Sequence, residues 1–149
     1  MDASPNPVVR ARLWDYFATL RTMVNGPWLI AGDMNEIIQP LEVSGRSFLL
    51  SRSLLFKDAL DIHNFIDMPV VGGLFTWRKN TMNGGHVCKH LDRCTTNMVW
   101  HIKFPHMLVE LLNRHCFDHN LLLISCHKAQ SKHKSFHLQE AWLSHPLYA

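Results

Sequence analysis

Apolar positions along the chain recur first at helical spacing and then in short runs that read as strands. Leu13, Phe17, Leu20 and Val24 stand three or four residues apart, the spacing of one helix face. Asn6-Pro7 ahead of them suits a helix start, with Asn as N-cap and Pro at the first helical position, and Asn25-Gly26-Pro27 ends the run. Trp28-Leu29-Ile30-Ala31 is then fully apolar and predicts a short buried strand with Gly32-Asp33-Met34-Asn35 at its end. Residues 39–52, rich in serine with Pro40 and Gly45, predict a loop, and 53–60 a second helix with Phe56 and Leu60 on one face. Strands are expected over 65–71 and, after a Gly72-Gly73 turn, over the aromatic and β-branched run Leu74–Arg78. Asn83-Gly84-Gly85 is a hairpin signal that returns the chain through 90–95. A helical turn near 97–102, a strand near 107–112, a loop at Asp118-His119 and a strand over 121–125 complete an α+β pattern without internal repeat.

Composition narrows this little. A length of 149 residues suits one domain, and a hydrophobic fraction of 47% allows a core of useful size. Fifteen Lys and Arg against twelve Asp and Glu leave +3, which is compatible with a phosphate-bearing partner and equally with a solvated surface. Eleven histidines add positive charge on acidification, so affinity for polyanions rises below about pH 6.5. No apolar stretch approaches the ~20 residues that span a bilayer, and Met1–Pro5 lacks the pattern of a signal peptide. A nuclear or cytoplasmic setting is therefore expected, with Cys88, Cys94, Cys116 and Cys126 as reduced thiols.

Three places carry candidate chemistry. In Gly32-Asp33-Met34-Asn35 a carboxylate can orient and deprotonate an attacking water while an amide holds it or a phosphate; the same four residues suit a tight turn. Asp118-His119 offers a histidine that can stabilise charge on a phosphate and a carboxylate for a metal. Such a histidine needs an orienting acceptor, for which Asp92 of Leu91-Asp92-Arg93 is the candidate; otherwise Asp92-Arg93 reads as a surface ion pair of little worth. Two further groups compete. His115, Cys116, His119, Cys126 and His127 contain donors for zinc but fit no common finger spacing. Trp77, Arg78, Lys79 and Lys89 on a hairpin could stack on and pair with nucleic acid, or form a core aromatic with a solvated basic rim.

The order of the three acidic motifs, with Phe75-Thr76-Trp77 between the first and second, resembles the endonuclease/exonuclease/phosphatase superfamily, which is deoxyribonuclease-I-like. The particular likeness is to the endonuclease of plant non-LTR (LINE-type) retrotransposons. The resemblance implies a four-layer α/β/β/α sandwich, of which residues 1–127 match only the C-terminal part. It implies metal-dependent nicking of DNA with Asp33, Asn35, Asp92 and His119 as catalytic residues: Asp33 activates water, Asn35 positions it, Asp92 orients His119, and His119 stabilises the phosphate. Asp118 would help hold Mg²⁺ or Mn²⁺. Residues 128–149 would be a linker-like tail towards a reverse transcriptase, with Phe136 and Trp142 able to dock.

Departures from the family pattern temper the expected activity. The family's early Asn and metal-binding Glu have no counterpart, and Asp2, in a segment expected to fray, stands where an active-site Tyr or His would precede the first helix. Phe117 replaces the usual Ser before Asp118-His119, exchanging a hydroxyl donor for bulk. Asp118 remains the main carboxylate for a metal, and losses of this kind typically cost about 10²–10³-fold each. The expectation is a weakly active or inactive endonuclease remnant, or a non-catalytic nucleic-acid-binding one, with an uncovered apolar sheet face through which it could self-associate.

Overall fold

The structure, a computed structural model, describes residues 1–112 and 118–127. It is a mixed α+β fold with three α-helices and three three-stranded sheets among those residues. Helix α1 spans Pro7–Met23 and begins as its sequence suggests, with the Asn6 side chain accepting the Val8 N–H at 2.9 Å and Pro7 in the first turn. None of the described helices is long and apolar enough to cross a membrane.

The sheet that positions the site has β7 (Asp92–Asn97) in its middle, flanked antiparallel by β1 (Leu29–Asp33) and β3 (Phe65–Asp67). Side chains along a strand alternate between faces, and here each face has its own core. Trp28, Ile30 and Phe65 pack with Trp14 and Phe17 of α1 and with Phe56, Ala59 and Leu60 of α2 (Leu50–Ile62). Leu29, Ala31, Ile66 and the fully buried Cys94 pack with Val109 and Leu122 of a second sheet, made of β4 (Val70–Val71), β8 (Leu108–Leu112) and β9 (Leu121–Ser125). The layers thus run helices, sheet, sheet. Burying a phenylalanine such as Phe56 contributes roughly 1.5–3 kcal/mol, and its ring lies 4.8 Å from that of Trp14. Burial pushes the Cys94 thiol up to about 12, so it packs rather than reacts; Cys88, Cys94 and Cys126 are all free. On β8 and β9, Leu108, Leu112, Leu121 and Leu123 are exposed.

Several expectations shift. The run 39–52 is not all loop: it holds a 3-10 turn at Pro40–Glu42, β2 (Val43–Ser44) and the first turn of α2. Ser53 lies buried inside that helix, its hydroxyl donating to the Ile38 carbonyl at 2.6 Å. The run 65–71 divides between two sheets at Pro69, which has no N–H for a ladder: β3 joins β7, and β4 runs parallel to β8. The strand expected from Leu74 begins only at Trp77. Here β5 (Trp77–Asn80) pairs with β6 (His86–Lys89), so the hairpin returns through 86–89 and not 90–95. Together with β2 these strands form the third sheet, while α3 (Met98–Lys103) and β9 fall close to the expected positions.

The segment expected to fray is instead held. Asp2 forms a parallel bridge with Asp33; the Ala3 N–H donates to the Asp33 carbonyl at 2.7 Å and the Asp33 N–H to that of Met1 at 3.1 Å. Gly32 permits this. Its φ is +136°, and a Cβ there would lie 1.9 Å from the Met1 carbonyl oxygen.

Candidate active site

The sheet register brings the first two acidic motifs together. Asp33, the last residue of β1, lies opposite Asp92, the first of β7. The third motif arrives from another direction. His119 bridges to Trp77, the Asn120 N–H donates to the Thr76 carbonyl at 2.7 Å, and the Arg78 N–H donates to the Asp118 carbonyl at 2.9 Å. Asn120 adds a bond from its side-chain amide to the Phe75 carbonyl at 2.9 Å. These bonds seat the Asp118–Asn120 segment against the start of β5.

The result is a chain of polar contacts. His119 Nδ1 lies 2.8 Å from Asp92 Oδ2, and its Nε2 lies 4.0 Å from Asp33 Oδ2. At 4.0 Å Asp33 does not use Nε2 as a hydrogen-bond partner. Asp33 is in turn gripped by Asn35, whose backbone N–H donates to Oδ1 at 2.7 Å and whose amide donates to Oδ2 at 2.8 Å. The first bond is the local side-chain-to-backbone bond of a tight turn, so the turn reading of Gly-Asp-x-Asn and the catalytic one describe the same geometry. Asn35 adopts φ +50° and its amide also donates to the Ala3 carbonyl at 2.7 Å, which fixes it against the edge segment.

Electrostatics follow from these neighbours. Burial raises the Asp33 carboxyl above its ordinary value; the Asn35 N–H opposes this, while the charges of Asp92 and Asp2 add to it. Burial pulls the His119 imidazole down, but the Asp92 hydrogen bond and charge, with help from Asp33 and Asp118, outweigh it, so the net shift is upward. His119 therefore stays protonated to higher pH than a free histidine. With Nδ1 committed to Asp92, Nε2 of that imidazolium is a donor towards a bound anion.

Asp118 is placed differently. Its Oδ2 accepts the Trp77 indole N–H at 2.9 Å, the contact that holds its carboxyl below the usual range. Asp118 is exposed, and among the described residues no group of three or more His, Cys, Asp or Glu side chains is arranged to hold a metal ion. The carboxylates present do not by themselves compose a cage for Mg²⁺, an ion usually held through one or two carboxylates, waters and substrate phosphate. The zinc alternative draws on His115 and Cys116, which lie outside the described residues, as does Phe117; of its described histidines, His119 and His127, the first is bonded to Asp92. The proposed tail, residues 128–149, lies outside them too.

Two supporting residues carry no role that sequence alone assigns. Thr76 is fully buried and its hydroxyl accepts the N–H groups of both Leu91 and Asp92 at 2.9 Å, locking the backbone that carries Asp92. Trp77 holds Asp118, and Lys89 Nζ lies 5.5 Å from the centre of its ring. The motif Phe75-Thr76-Trp77 marks the place, but neither role has a signature in composition or periodicity. Compared with models of known families and with curated proteins, the chain matches none.

Proposed function

We propose that this site hydrolyses phosphodiester bonds in DNA, as the C-terminal part of a metal-dependent endonuclease of the endonuclease/exonuclease/phosphatase superfamily, of plant LINE-type retrotransposon kind. The observation that carries the reading is the convergence of Asp33, Asn35, Asp92 and His119, from three motifs 27 or more residues apart, on one sheet end. The order of layers, helices against a sheet against a second sheet, supports a place in a four-layer sandwich.

In this reading Asp33, with its proton affinity raised, takes a proton from the attacking water. Asn35 holds the Asp33 carboxylate in one orientation through two hydrogen bonds. Asp92 fixes the His119 ring and keeps it charged, and Nε2 donates to the phosphate as negative charge builds on it. Mg²⁺ or Mn²⁺ would supply Lewis-acid stabilisation, with Asp118 as the contributing carboxylate. The described carboxylates do not by themselves compose its cage. Two features bear on the rate: the Trp77 indole already occupies Asp118 Oδ2, and Asp2 stands where the family it resembles has an aromatic or histidine.

The engagement of Asp118 favours a second reading, a nucleic-acid-binding module without catalysis. A plasmid-nicking assay with Mg²⁺ separates the two. Slow nicking that disappears in His119→Ala is expected. An intact plasmid at high protein concentration, together with binding that falls steeply with salt, gives the binding module instead. Exposed Leu108, Leu112, Leu121 and Leu123 also offer an apolar face for self-association.

A further inference from the structure

Beside the candidate active site lies a pocket of about 350 Å³, lined by Asn35, Glu36, Arg46, Arg52, Lys89 and Leu91 among others. Two of these residues belong to the site's own framework. Asn35 holds Asp33, and Leu91 precedes Asp92. The pocket therefore adjoins the framework of the candidate site.

Its charge is unbalanced. Arg46, Arg52 and Lys89 line it, and Glu36 is its one carboxylate among the described residues. Glu36 is oversubscribed. Its Oε1 accepts from the buried Arg10 and from Arg52 Nε and Nη2 at 3.2 and 3.0 Å. Behind and around the pocket, four cations face one negative charge. Arg46 is exposed, and its side chain makes no hydrogen bond or ion pair among the described residues. It is delivered by Gly45, whose φ of +75° turns the chain where a Cβ would lie 2.3 Å from the His86 carbonyl oxygen. Lys89 is half-buried. Burial, then the charges of Arg46 and Arg52, hold its ammonium below the ordinary lysine value. Uncompensated cations crowded in a recess form a site for an anion that none of the described residues supplies.

We propose that this pocket binds a phosphate group of the nucleic-acid strand, the one flanking the phosphodiester held by His119, with Arg46 and Lys89 as its principal contacts and Arg52 as their support. The proposal rests on the nuclease reading for the identity of the ligand, but its binding chemistry is independent of cleavage.

The test is binding of a fluorescein-labelled DNA duplex by fluorescence anisotropy over a range of salt, without divalent metal, comparing the protein with Arg46→Gln, Lys89→Met and the double variant. Arg46 is exposed and bonded to none of the described side chains, so its substitution leaves the fold intact; the methionine keeps the apolar stem of Lys89 against Trp77. Each variant is expected to weaken binding and to lower the slope of log K against log salt by about 0.9 for each phosphate that is no longer neutralised. Unchanged slopes in all three variants overturn the subsite. If nicking still depends on His119 in that case, the nuclease reading survives without it. Lowered slopes in a protein that never nicks keep the subsite and remove the nuclease reading. Repeating the measurement with and without a 5′-phosphate identifies the source. Equal effects assign an internal backbone phosphate, and effects confined to the phosphorylated duplex assign a strand end.

Discussion

Asp92 and Arg93 are neighbours in sequence and face opposite worlds. On a strand, adjacent side chains point to opposite sides of the sheet. Asp92 turns to His119, whose side chain is 35% exposed. Arg93, 1% exposed, turns inward, where Nη1 donates to Asp67 at 2.6 Å and Nη2 to Glu42. Glu42 in turn accepts the N–H groups of Ile38 and Gln39, tying the 3-10 turn to the sheet. The doublet that could be read as one surface ion pair is two separate devices. One is partly open, with a histidine free to exchange protons and bind. The other is closed, a network whose disruption leaves charge without solvent. Polar clusters of similar composition serve function or framework according to which side of a strand they occupy.

The closed side should show the largest effect. Arg93→Met removes one cation and leaves Glu42 and Asp67 facing each other in the interior, where breaking a buried pair costs about 3–5 kcal/mol. Burial already raises the Asp67 carboxyl despite Arg93, so the loss falls on a strained group. Urea unfolding measures it. If the two faces are independent, folded Arg93→Met protein keeps the His119 titration of the parent. A displaced His119 titration means that the sheet transmits the change and the separation fails.

On the open side, His119→Ala should cut nicking about 10²–10³-fold, the usual cost of one charge-stabilising donor. Stability should change by about 1 kcal/mol or less, because the ring is partly exposed and solvent screens much of the pair. A large fall in stability with little change in nicking would make His119 a framework residue and reverse the comparison.

Much of this contrast is legible in the sequence, and the reasons for the remainder are physical. Polar residues beside short apolar runs point to Asp33, Asn35, Asp92 and His119; Asp33 and Asn35 follow an apolar strand, whereas Asp92 opens β7 and His119 lies just ahead of β9. The order of motifs in the family that the sequence resembles suggests that they meet; the β1–β7 register accounts for Asp33 opposite Asp92. Glu42 and Arg10 carry no signal, since burying a charge depends on partners distant in sequence: Arg10 reaches Glu36, and Glu42 reaches Arg93. Pro69 divides one apolar run between two sheets, which periodicity alone does not reveal. Thr76 stands out only as part of a motif, because a hydroxyl accepting two backbone N–H groups has no pattern in one dimension.

Thr76 is where the two regions meet. It is buried, yet it holds the backbone of Asp92. Thr76→Val keeps the shape and removes the acceptor, leaving two N–H groups unsatisfied at a cost of about 1–3 kcal/mol. Unlike Arg93→Met, it should also loosen Asp92 and lower the His119 titration, seen by NMR of the imidazole protons. A stability loss with the titration unmoved would assign Thr76 to the framework alone.

The smallest effect is the most diagnostic. Asp92→Asn removes the hydrogen-bonded charge that offsets burial of His119, so the imidazole should titrate at lower pH than in the parent. The sign for stability follows from linkage. A histidine whose folded pKa is raised adds stability that is fully present below the unfolded value, about 6.5, and is lost as pH rises through the folded value. Relative to Asp92→Asn, the parent should therefore gain stability on acidification through this window, by a few tenths of a kcal/mol given the exposure of the ring; His90, whose imidazole burial pulls down, acts with the opposite sign in both proteins and cancels in the comparison. Asp33, also raised, acts with the same sign but nearer the carboxylate range, so the two windows are separable. If nicking in the variant shifts its basic limb to lower pH by as much as the imidazole titration moves, His119 acts in its protonated form. A basic limb that stays in place while the titration moves leaves Asp92 with only the orientation of the ring.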